Sequence, residues 1–104
     1  MRKRRYEILL PVTHNDGTPI SPEKFLQTRD ELVAQFGAVS FYPGTVSGLW
    51  THEGKQYEDE SRRLFVDVPD TPEVEQFFAD FKTVLLERFA QIEIYIVYSL
   101  INVV

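Results

Sequence analysis

Apolar and polar side chains alternate along residues 6–12, with Ile8, Leu10 and Val12 on one side of the chain and Glu7 and Leu9 on the other. That two-residue period predicts a strand. Turn formers crowd the next stretch, His14-Asn15-Asp16-Gly17-Thr18-Pro19. The period then lengthens. Ser21-Pro22-Glu23 supplies a capping hydroxyl, a proline suited to the first helical position and an acid for the positive end of the helix dipole. Phe25, Leu32, Val33 and Phe36 mark one helical face, and Gly37 ends it.

Beyond a less regular stretch that turns at Pro43-Gly44, residues 45–52 read as extended, with Val46, Gly48 and Trp50 on one side. Glu53-Gly54-Lys55 forms a hairpin tip, and residues 57–68 return as a strand with Val66 and Val68 inward and Arg63, Phe65 and Asp67 outward. Thr71-Pro72-Glu73 repeats the earlier helix opening, and Val74, Phe77, Phe78, Phe81, Leu85 and Phe89 follow at helical spacing. Residues 92–104 close the chain as a β-branched and aromatic strand. The order predicts an α+β fold, a ferredoxin-like βαββαβ sandwich with a four-stranded antiparallel sheet and two helices on one face. Its first and third strands are central. The chain divides into a basic, flexible terminus at residues 1–5 and a single domain at 6–104.

Two helices cover one sheet face, yet the last strand is apolar on both sides. Leu9, Phe65, Tyr95, Val97 and Ile101 are therefore expected on an open face larger and greasier than a monomer usually exposes. A homodimer through that face is the simplest cover. An RNA-binding use is disfavoured, because Arg62-Arg63-Leu64-Phe65-Val66-Asp67 lacks the glycine and second aromatic of the ribonucleoprotein signature. Trp50, on the inward register beside Gly48, is expected to pack beneath a helix.

Charge sharpens the picture. The 104 residues carry a net charge of −5, with four of the eleven basic groups in Arg2–Arg5, so the rest of the chain sets seven basic residues against sixteen acidic ones. An acidic body disfavours nucleic acid, and Arg2–Arg5 would be the only element able to hold it. The apolar run Ile8-Leu9-Leu10-Pro11-Val12 is too short for the core of a secretory signal, and residues 94–104 fall well short of the ~20 a membrane helix needs. A soluble cytoplasmic protein with no membrane role is the expectation. Zero cysteines exclude disulfides, thiol nucleophiles and thiolate metal sites.

The predicted topology gathers His14, Asp16, His52, Glu53, Gln91 and Glu93 at one end of the sheet. Imidazole and carboxylate together suit a divalent metal or a general acid–base pair, so His14, Asp16, His52 and Glu53 define a metal-assisted hydrolase or nuclease as one alternative. Their spacing matches no ligand motif, and loop histidines beside acids are more often plain surface. No phosphate-binding glycine loop or serine-hydrolase elbow is present, so no nucleotide cofactor is expected. The leading expectation is a non-enzymatic, self-associating binding or regulatory module that takes a partner or small effector. Nucleic-acid binding through the basic terminus ranks behind it.

Phe36-Gly37-Ala38-Val39-Ser40, Gly48-Leu49-Trp50, Gly54, Glu58 or Glu60, and Gln91-Ile92-Glu93 resemble a pattern, F-G-G-x-T…G-x-W…G…E, found in small uncharacterised bacterial and phage proteins. The resemblance spans roughly residues 32–98. Ala38 stands where the pattern has glycine and Ser40 where it has threonine. It implies a ferredoxin-like fold and brings no activity with it.

Overall fold

The computed structural model describes all 104 residues. Seven elements follow in order: β1 (Arg2–Pro11), α1 (Pro22–Phe36), β2 (Ser40–Phe41), β3 (Val46–His52), β4 (Lys55–Pro69), α2 (Pro72–Arg88) and β5 (Tyr95–Asn102). The antiparallel sheet runs β2-β4-β1-β5, with β3 also paired to β4. This is the ferredoxin-like arrangement, with β1 and β4 central. Five strands stand where four were expected, because the two-residue β2 splits off ahead of the hairpin.

Strand parity builds the core. Tyr6, Ile8 and Leu10 of β1 and Leu64, Val66 and Val68 of β4 point to the helices, where they meet Leu32 of α1 and Val74, Phe78, Phe81 and Leu85 of α2. Tyr6 stacks on Phe78 with ring centroids 3.9 Å apart. Val33, placed by its spacing on the buried face of α1, is exposed instead. The two helices are tied by Arg88, whose guanidinium donates to Thr28 Oγ1 at 2.9 Å and to both Glu31 carboxylate oxygens at 2.7 Å.

The helix starts differ in detail. Thr71 Oγ1 accepts the Val74 N–H at 3.3 Å, as a capping threonine should. Ser21 caps nothing, because its hydroxyl donates to the Glu23 carboxylate, which is thereby held below the usual glutamate range. Gly37 ends α1 at φ 83°, with its N–H on Val33 O. At the end of α2 the left-handed residue is Ala90, φ 52°, followed by the Gln91 N–H donating to Leu86 O at 3.0 Å. That bond turns the chain sharply toward β5.

Residues 1–5 are not a flexible terminus. Arg2–Arg5 fall in the first half of β1, and the three arginines among them meet acidic partners. Arg5 forks onto Asp67 at 2.7 and 3.0 Å, directly across the sheet. Arg4 bonds Asp70 at 2.5 Å and Glu75 at 3.3 Å while lying 4.2 Å from the Tyr98 ring. The hydrogen bond from Arg5 holds the Asp67 carboxyl below its ordinary range. The last strand is shorter than expected: residues 92–94 form a loop pinned by the buried Ile94.

β4 is the longest strand, and β1 reaches only as far as Ser61 along it. From Lys55 to Asp59 its sole partner is β3, while Glu60 O still accepts the Val12 N–H at 2.9 Å. The β3–β4 hairpin therefore projects past the sheet as a two-stranded arm, about 20 Å long at the strand rise.

Candidate functional site

At the base of this arm, on the sheet face the helices leave open, lies a cleft of about 310 Å³. Leu9 and Pro11 of β1 form its floor. Val46, Gly48, Leu49 and Trp50 of β3 with Asp59 and Ser61 of β4 make one wall, and Gln91, Glu93, Ile94 and Tyr95 the other. The cleft exists because strand register carries one parity along the open face: Pro11 sits opposite Ser61, Val46 opposite Ser61, Gly48 opposite Asp59, and Leu9 opposite Tyr95. Nothing lies within 4 Å of where a Gly48 Cβ would stand. The ladder is continuous there, so this glycine marks no bulge and leaves room in the cleft.

Trp50 is the aromatic centre of the site, not a core residue under a helix. It sits on the arm, on the sheet face opposite the helices, and stacks on its cross-strand partner Tyr57 at 4.5 Å and 19°. The Lys55 ammonium is 5.1 Å from the Tyr57 ring and the His52 ring 6.1 Å from Trp50, so the stack continues toward the tip. The indole N–H donates to the Asp59 carboxylate, which fixes the ring's edge and aims the carboxylate along the wall.

On the opposite wall, Glu93 accepts from Lys82 at 2.7 Å and from the Ile94 N–H at 2.9 Å. The Lys82 bond holds its carboxyl below the ordinary range. Two carboxylates thus line the cleft and no cationic side chain does. With apolar floor, aromatic wall and few polar groups, the cavity has the make-up of a small-molecule site.

The structure does not bring His14, Asp16, His52 and Glu53 together, and no group of three or more His, Asp or Glu side chains in the molecule is placed to share a cation. The reason is the arm. His52 and Glu53 sit at its tip, 3.8 Å apart, whereas His14 and Asp16 belong to a small turn beside the sheet's end. Asp16 there accepts the backbone and hydroxyl bonds of Thr18, which keep its carboxyl below the usual range. Gln91 and Glu93, placed by the sequence at the same end, do line the cleft. Trp50, Asp59 and Ser61 were not legible as site residues. The alternation of β4 signals that Asp59 and Ser61 share a face, but nothing local says that the face is walled.

Leu9, Phe65, Tyr95, Val97 and Ile101 all fall on the open face, as the register requires. That face is a mosaic more than a greasy sheet. The Arg5 guanidinium lies 4.2 Å from the Phe65 ring, and Glu7 accepts from Arg63 at 2.7 Å and from the Tyr42 hydroxyl at 3.1 Å. Tyr95 remains 60% exposed, and on the other side of β5 Tyr98 and Leu100 are about half exposed. No helix of the molecule is long and apolar enough to cross a membrane.

No protein-family model matches the chain, and no curated protein matches it in sequence. Solved structures do resemble it. A phage SAM lyase in complex with S-methyl-5'-thioadenosine superposes with a TM-score of 0.73 at 13% identity, over 93% of this chain and 80% of that one. The divalent cation tolerance protein CutA1 from Thermus thermophilus gives a TM-score of 0.61 at 20% identity, over 95% of this chain and 82% of that one. At these identities the likeness establishes the ferredoxin-like fold.

Proposed function

We propose that the protein is a self-associating small-molecule-binding module whose ligand occupies the cleft at the base of the β3–β4 arm. The observation that carries this reading is the cleft: an apolar floor at Leu9 and Pro11, a stacked indole at Trp50, and hydrogen-bonding groups at Asp59, Ser61 and Gln91 on facing walls. A flat ring against Trp50 with polar edges toward these groups fits such a space, and the thioether nucleoside held by the phage lyase is a ligand of that shape and polarity. Self-association is supported by the open face, where Leu9, Phe65, Val97 and Ile101 are partly exposed and Tyr95 is exposed.

Methylthioadenosine titrated against Trp50 fluorescence tests the reading. The chain has one tryptophan, so the signal has one source. A saturable change is expected, abolished by Gly48→Leu, which fills the cleft from a position with free space and ordinary backbone. No saturable change at millimolar ligand would refute the assignment. Light scattering behind size exclusion tests the second part: an assembly larger than one chain is expected at micromolar concentration, broken by Tyr95→Glu or Ile101→Glu.

A further inference from the structure

We infer that the cleft selects by charge and takes a small organic cation bearing a flat ring in preference to its neutral isostere. The inference rests on the ligand-binding reading above and deepens it. Asp59 and Glu93 face the cavity from opposite walls, and no lysine, arginine or histidine lines it. Lys82 meets Glu93 from the α2 side at 2.7 Å, which matches one of the two charges. Asp59 has only the neutral indole N–H of Trp50 as a partner. The cations that flank Asp59 on this face of β4 are engaged elsewhere, Arg63 with Glu7 and Lys55 over the Tyr57 ring.

One carboxylate is therefore uncompensated, in a cleft that also carries two aromatic rings whose faces attract positive charge, Trp50 on the same wall and Tyr95 on the other. A sulfonium or alkylammonium group lodged between Asp59 and the rings would neutralise the carboxylate and gain ring contact together. A neutral ligand of the same shape gains only the stacking. The acidic body of the chain favours the encounter of a cation as well.

S-adenosylmethionine and S-adenosylhomocysteine differ by one methyl group and the positive charge it brings, so the pair isolates the effect. Trp50 fluorescence, read by stopped flow in the first second after mixing, gives both affinities. The sulfonium compound is expected to bind roughly tenfold tighter. Asp59→Asn, which keeps the oxygen that accepts the Trp50 N–H, should bring the ratio close to one while leaving the neutral compound's affinity within about twofold. Glu93→Gln should lower the ratio less, because Lys82 already meets that charge. Equal affinities for the two compounds, or a ratio that survives Asp59→Asn in a protein with unchanged circular dichroism, would overturn the inference and leave the binding site standing. Failure of both compounds and of methylthioadenosine to bind would remove the site itself.

Discussion

The two halves of β4 live in different surroundings. From Leu64 to Val68 the strand pairs with β1 throughout and with the short β2 at Leu64 and Phe65, helices pack over one face, and every second side chain is buried. From Lys55 to Asp59 its only strand neighbour is β3, and none of its residues is buried. The first half is held by close packing of apolar groups, and the second by ladder hydrogen bonds and a single aromatic stack. Isolated two-stranded ribbons are marginal in water, so the arm draws its stability from the body at its base. The cleft sits at that junction. A binding site there has one rigid wall, fixed to the core through Ile94, and one wall free to adjust.

Substitution in the body should be far more damaging than in the arm. Leu64→Ala leaves a void among fully buried neighbours and should cost about 2–5 kcal/mol in urea unfolding. Tyr57→Ala, which removes the stack beneath Trp50, should cost about 0.5–1.5 kcal/mol. A Tyr57 effect as large as that of Leu64 would mean that the arm folds as part of the core. Removing the clasp between the helices, with Arg88→Ala, should fall between these at about 1–3 kcal/mol, since Thr28 loses its donor in a buried position.

Acid should act on the body through the strand pair Arg5–Asp67. The Asp67 carboxyl is depressed when folded, so its contribution is complete above about pH 5 and is lost as pH falls through the folded value. Asp67→Asn is thus expected to lower stability at neutral pH by up to about 1 kcal/mol, with the gap to wild type closing as the carboxyl is protonated in acid. A gap independent of pH would show that the ion pair contributes nothing beyond shape. The smallest effect concerns the fixed wall of the cleft. Ala90 holds a left-handed conformation that glycine adopts freely, and Ala90→Gly should stabilise by up to about 1 kcal/mol without loosening residues 91–95.

Much of the body was legible from residue order. The proline-led helix starts at Pro22 and Pro72, the parity of β1 and the parity of Leu64–Val68 all follow from local chemistry. The misreadings share one cause, namely distance along the chain. Arg2–Arg5 look like a loose tail until Asp67, Asp70 and Glu75 arrive from 60 or more residues away to match them. Trp50 alternates with Val46 and Gly48, but alternation does not say which sheet face that set takes, and pairing with Tyr57, Asp59 and Ser61 puts it on the open one. His14 and His52 share an end of the sheet by topology alone. What separates them is the run Lys55–Glu60, whose charges give no hint that β4 outlasts β1. Gln91 and Glu93 were placed near chemistry through topology as well, and there the expectation met the cleft.

Chemical-shift mapping of the uniformly labelled protein with methylthioadenosine tests the central claim most directly. Perturbations are expected to concentrate at residues 46–50, 59–61 and 91–95, with Leu9 and Pro11, and to leave the helices unchanged. Shifts confined to another surface, or none at saturating ligand, would contradict the assignment of the cleft at the arm's base as the functional site.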